Sequence, residues 1–171
     1  MAHSSRIGWI VVALLCFGTA QAQRKVKSGP YNAMLKTLLK HSVPEIAVDA
    51  LVPLQKKVVL LDAREPNEYA VSHLPNALSV GYNNFSLEAV KQVDKNAPVV
   101  VYCSVGYRSE KVAEQLIAAG FTDVRNLYGG IFEWCNQKNS LVDTQGQPTN
   151  KVHAYNKVWG IWLKHAQKVY E

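Results

Sequence analysis

Cysteine is scarce in this 171-residue chain, and its three occurrences are far apart. Cys16 lies in an apolar stretch near the amino terminus, which leaves Cys103 and Cys135 to the body of the protein. The histidines offer no more: His41, His153 and His165 have no partner spacing that would make a metal site, so none is expected. No cofactor motif is present either. The longest amino-terminal apolar run, Ile7 to Gly18, is 12 residues, short of the ~20 that cross a bilayer. Basic residues are scattered rather than interleaved with aromatics in a stripe, which argues against nucleic acid as a partner. The chain also lacks internal repeats and low-complexity segments. These absences leave an ordinary globular domain and direct attention to single residues.

The amino terminus sets an expected compartment. A polar start with Arg6, the short apolar core, and the ending Ala20-Gln21-Ala22 form the pattern of a signal peptide cleaved before Gln23. Leu15 before Cys16 is not the small residue that lipoprotein cleavage requires. Residues 1–22 are therefore expected to be removed, giving an exported protein, most simply periplasmic, whose mature form does not span the membrane. Removal leaves 149 residues with 18 basic and 13 acidic side chains, net +5. That length suits one domain with a single core.

The pattern along the rest of the chain alternates. Residues 23–42 read as a polar linker followed by an amphipathic helix over 31–40. Strands are expected at 46–48, 58–61, 77–80, 98–102 and 123–127. Helices fall between or after them at 50–55 (capped by Asp49), 67–71, 86–93 (capped by Ser86), 109–119 and 131–138. Such alternation gives an α/β fold, a mainly parallel five-stranded sheet with helices on both faces. Residues 43–138 form that domain. Beyond it, 139–171 suggest a hairpin around Gln145-Gly146-Gln147-Pro148 and then a helix over 158–170. Trp159 and Trp162 in that extension are available either to cover the domain or to dock a partner.

The most informative segment is Cys103-Ser104-Val105-Gly106-Tyr107-Arg108-Ser109. It follows the apolar strand Pro98 to Tyr102 and opens a helix, which puts Cys103 at the carboxyl edge of a central strand, where open α/β sheets hold ligands. A free thiol titrates near pH ~8.5, and a helix amino terminus or a nearby cation favours its anion. Ser104 and Gly106 let the backbone turn its N–H groups inward, and Arg108 adds a fixed cation. The pattern fits a nucleophile better than an inert buried cysteine.

This segment resembles the active-site loop of the rhodanese-like sulfurtransferase family, Cys-x-x-Gly-x-Arg-Ser. Two other blocks are similar to the family's signatures. Upstream are Asp62-Ala63-Arg64-Glu65, Glu68-Tyr69 and His73-Leu74-Pro75-Asn76-Ala77; downstream are Gly129-Gly130 and Trp134. Asn76 and Leu74 depart from the family's usual glycine and isoleucine. The resemblance implies that Cys103 takes a sulfur from a donor such as thiosulfate, holds it as a persulfide, and passes it to a thiol or cyanide. It implies a persulfide cradle in the N–H groups of 104–108, with Ser104, Val105, Gly106, Tyr107 and Ser109 shaping the loop. Arg108 either attracts the donor or braces the loop, and Asp62 and Arg64 support it from behind. Glu65, Glu68 and His73 are expected to pin the helix 67–71 and the following turn. Four residues between Cys103 and Arg108, rather than five, favour sulfur transfer over a phosphatase or arsenate reductase. A non-catalytic rhodanese-like module is the other class. Cys135, beside Trp134, reads as a packing residue or as a resolving thiol.

Overall fold

The structure is a computed structural model that describes residues 26–170. The signal segment, Cys16 and the start of the linker lie outside the described residues. Short β-branched or leucine-rich runs become the strands β1 (Glu45–Ile46), β2 (Val59–Asp62), β3 (Leu78–Ser79), β4 (Val99–Tyr102) and β5 (Val124–Leu127). All pair in parallel, in the order β1-β5-β4-β2-β3. β4 is central and none of its residues is more than 1% exposed. That is why its sequence is apolar throughout rather than alternating.

Period-two geometry splits the core into two clusters, one on each face of the sheet. Leu60, Val100 and Tyr102 face the helices α1 (Gly29–Leu38), α2 (Val48–Leu51) and, further along the chain, the one at Gly130–Asn136. Leu61, Val99 and Val101 face the other way, against Val112, Ala113 and Leu116 of the helix Tyr107–Ala118. Each buried aliphatic side chain contributes about 1.5–3 kcal/mol. Helices therefore cover both faces, as the alternation predicts. In chain order they are α3 (Pro66–Val71), α4 (Tyr107–Ala118) and α5 (Gly130–Asn136) after the first two.

The connection after β2 leads outward to β3, while the one after β4 leads the opposite way to β5. The crevice between their carboxyl ends is a topological switch point, the favoured place for a ligand in such sheets. Cys103 and Asp62 both stand there.

Three local expectations are corrected. Asp49 does not cap a helix over 50–55: it sits in the first turn of α2, whose cap position is Ala47, and Pro53 opens a 3-10 segment over Val52–Lys57. The stretch 86–93 is a single 3-10 turn, Leu87–Val90, and Ser86 makes no side-chain cap. Val90 is its one buried residue, too little apolar face to hold a longer helix in place.

The third correction is the carboxyl-terminal extension. Strands β6 (Leu141–Val142) and β7 (Pro148–Thr149) do pair antiparallel. The expected helix 158–170 is one turn, α6 (Lys157–Gly160), capped by Asn156, whose Oδ1 accepts from the N–H groups of Val158 and Trp159 at 3.0 Å. The chain then turns to bury Leu163 and continues as β9 (Gln167–Val169), parallel to β8 (Lys151–His153). The helical spacing fails because the edge strand β8 offers backbone partners that a continued helix would leave unpaired. Among the described residues no helix is long and apolar enough to cross a membrane.

Candidate active site

Cys103 follows directly from β4, and Gly106 is the cap residue of α4 with φ +118, a conformation that L side chains rarely adopt. The turn aims the Gly106 N–H at Cys103 Sγ, at 3.2 Å. The carbonyl of the same glycine accepts from Asn126 Nδ2 at 2.9 Å, and Asn126 Oδ1 accepts from Ser109 Oγ at 2.7 Å. Asn126 is fully buried on β5, so the loop is bolted to the neighbouring strand. Asn126 follows Arg125 in a strand that is half polar, so nothing in the sequence set it apart.

The other side of the loop meets α5. The N–H groups of Ile131 and Phe132 donate to the carbonyls of Cys103 and Ser104 at 2.9 and 3.1 Å. Gly130 has to be glycine for this approach, since a Cβ there would come within 2.6 Å of the Ser104 carbonyl oxygen and closer still to that of Cys103. The hydroxyl of Tyr31, on α1, donates to the Gly129 carbonyl at 2.9 Å.

Arg108 is spoken for. Its Nη1 and Nη2 donate to the two carboxylate oxygens of Glu68 at 2.6 and 2.9 Å, and Nη2 also donates to Ser104 Oγ at 3.0 Å. Of the two expected roles, bracing is the one the geometry realises. Glu68 does pin α3, by accepting from the Glu65 N–H at 3.0 Å, but its pairing with Arg108 was not foreseen. Burial alone would push the Glu68 carboxyl up, yet the hydrogen bonds and charge of Arg108 outweigh it and hold the group below the ordinary carboxylate range. His153, on β8, stands 3.9 Å from the same carboxylate. Its burial lowers its basicity; Glu68 opposes that, and Arg64 and Arg108 add to it, leaving it below the usual histidine value.

Asp62 and Arg64 lie beneath the loop, both fully buried. The Arg64 Nε donates to Asp62 Oδ1 at 2.9 Å and Nη2 to the Ser72 carbonyl at 2.6 Å, joining β2 to the turn after α3. Neither side chain lines the open space above Cys103. His73 stacks on Tyr69 and pairs through its backbone with Val142, also away from it. Cys135 is buried in α5 as a free thiol, pushed up to about 12 by burial, which disfavours a reactive role. Among the described residues no three His, Cys, Asp or Glu side chains gather as a metal site.

Above the loop opens a cleft of about 470 Å³. Cys103, Ser104, Val105, Tyr107 and Arg108 line it together with Glu65 and Asn83. Leu38 from α1, Tyr82, and Tyr155 and Trp159 from the extension also line it; like Asn83, none of them was expected at this site. The Tyr155 ring lies over the Arg108 guanidinium, 5.2 Å from carbon to ring centre, so the extension reaches over the site as well as packing Val152, Ala154 and Leu163 into the core.

A parallel sheet with a cysteine loop at its switch point is the architecture of a known family, and comparison settles membership: residues 48–137 match the model of the rhodanese-like domain, and the chain belongs to that family. Among curated relatives, the thiosulfate sulfurtransferase GlpE of Coxiella burnetii is 35% identical over 80 residues, 47% of this chain and 74% of that protein. The adenylyltransferase and sulfurtransferase UBA4 of Candida albicans is 30% identical over 101 residues, 55% of this chain but 23% of that one. The crystal structure of a thiosulfate sulfurtransferase from Pseudomonas aeruginosa superposes with a TM-score of 0.56 at 26% identity, covering 69% of this chain and 23% of its own.

Proposed function

We propose that this protein is a sulfurtransferase that carries a sulfane sulfur on Cys103, moving it from thiosulfate or a related donor to a thiol or cyanide. The observation that carries the proposal is Cys103, only 1% exposed yet among the residues lining the open cleft, with its Sγ receiving the Gly106 N–H. In the first step the Cys103 thiolate attacks the outer sulfur of the donor. The bond between the outer and inner donor sulfurs breaks, its electron pair leaves with the remainder of the donor, and Cys103 holds the persulfide. In the second step the acceptor takes that outer sulfur and the thiolate returns. Splitting one transfer in two is the usual advantage of a covalent intermediate. The Gly106 amide, set before substrate arrives, stabilises charge on the sulfur without reorganising. Ser104, Val105, Tyr107 and Ser109 hold the loop's shape, and Arg108 holds it through Glu68. That engagement also weighs against a phosphatase, which needs a guanidinium with free donors.

Thiocyanate formation from thiosulfate and cyanide tests the reading. Cys103→Ser should lower the rate by more than about a hundredfold, as loss of a covalent nucleophile does. Equal rates in the two proteins would refute it. The sequence of residues 1–22 supports a further proposal, that the protein acts outside the cytoplasm, in a periplasm. Amino-terminal sequencing of the protein exported by a bacterial host should begin at Gln23; retention of Met1 in the cytoplasm would rule this out.

A further inference from the structure

The space over Cys103 is large and mostly apolar for a site whose assay donor is a small dianion. Its walls are Leu38, Tyr82, Val105, Tyr107, Tyr155 and Trp159. A volume of about 470 Å³ lies in the range that holds whole organic ligands, ~300–1,000 Å³. The charge balance points the same way. Arg108, the one cation lining the cleft among the described residues, is matched by Glu68 with both terminal nitrogens and is capped by the Tyr155 ring, and the lining adds the carboxylate of Glu65. A dianion would find little uncompensated positive charge there.

The two aromatic walls contributed by the extension are deliberately placed. Tyr155 has φ +64, an uncommon conformation for a residue with a side chain, and its N–H donates to His153 Nδ1 at 3.2 Å. Trp159 is set by the Asn156 cap of α6. Tyr155 is 49% exposed, so packing of the domain does not account for its position. Neither residue falls within the segment 48–137 that matches the family, so the family match does not account for this wall.

We infer that Trp159 and Tyr155 are specificity-determining residues that select a sulfane sulfur carried on a ring-sized apolar organic group, such as an aryl persulfide or thiosulfonate. The inference rests on the sulfur-transfer reading of Cys103. The organic group lies between Trp159, Tyr155 and Leu38 while its outer sulfur reaches Cys103. For a thiosulfonate, the Cys103 thiolate bonds to the outer sulfur as the bond to the sulfonyl sulfur breaks. The electron pair departs with the sulfinate, so Cys103 gains the persulfide anion and charge is conserved. For a persulfide the leaving group is the organic thiolate.

Two monoanionic donors that differ in the organic group test this, benzenethiosulfonate and methanethiosulfonate, with cyanide as acceptor. The ratio of kcat/KM for aryl over methyl donor, divided by the same ratio for a free thiol in solution, should be about tenfold or more in the native chain. Trp159→Ala should bring that ratio down several-fold towards unity, and Trp159→Phe should keep most of it. Tyr155→Asn is a second variant, suited to the left-handed backbone and remote from the core, and should also lower the ratio. A native ratio near unity, or one unchanged in both Trp159→Ala and Tyr155→Asn, overturns the inference. Mass spectrometry of Cys103 separates the two levels. Persulfide formed equally well from both donors defeats the specificity alone, whereas no persulfide from either defeats the sulfur-transfer reading and this inference with it.

Discussion

Cys103, Gly106 and Ser109 at the bottom of the cleft are held by buried hydrogen bonds to β5 and α5, while Tyr155 and Trp159 opposite them hang from a short capped turn and a strand pair. The floor is held by fixed partners in the sheet and in α5, so a reacting sulfur meets the Gly106 N–H already in place. The wall depends on aromatic surface and a few backbone bonds. Two such regions divide the work of a site, chemistry below and choice of substrate above.

The largest blow to the floor is Gly130→Ala. The added methyl would overlap the Cys103 and Ser104 carbonyl oxygens and carry φ +55, so a loss of about 3 kcal/mol is expected in urea denaturation, with sulfur transfer falling alongside. Wild-type stability would mean that α5 does not close on the loop as described. Next is Glu68→Gln, which leaves Arg108 partly buried without its counter-charge. Breaking such a pair costs up to about 3–5 kcal/mol when both groups are fully buried, and about 2–3 is expected with Arg108 still 13% exposed. A cost under about 0.5 kcal/mol would show the pair to be an ordinary surface bridge.

The smallest effect is on acid stability, and it joins the floor to the wall through His153. A histidine held below its usual value of 6.5 takes up a proton more readily when unfolded, so the folded state loses ground as pH falls through that value. Glu68, held below 4.5, contributes stability that is present above 4.5 and is lost as pH falls through its lower folded value. Both act in one direction. Thermal midpoints should fall from about pH 6.5 downward, and His153→Gln should flatten the upper part of that slope. A midpoint that rises on acidification from pH 7 to 5 would contradict the assignment.

The sheet was legible because strand and helix periods in residues 43–138 are imposed by burial on two faces, and side-chain pattern reports burial directly. The loop was legible because strand, cysteine, glycine, arginine and helix occur together in a few residues. Glu68 was read only for its local task, since nothing in a helix-capping pattern states that a carboxylate also faces a residue forty positions away. The extension misled for a different reason. Trp159, Trp162 and Leu163 have helical spacing, yet they pack as a turn because Tyr31 and the edge strand β8 fix their neighbours. Long-range partners of that sort leave no local trace.

The Trp162 ring stacks on Tyr31 at 5.3 Å, and Tyr31 in turn grips the Gly129 carbonyl beside the helix that seats the Cys103 carbonyl. The two flanks of the chain thus form a clasp that closes beside the reactive turn. A boundary drawn at 48–137 would cut both arms of it, so the packed unit around the loop is longer than the stretch by which its kinship is recognised.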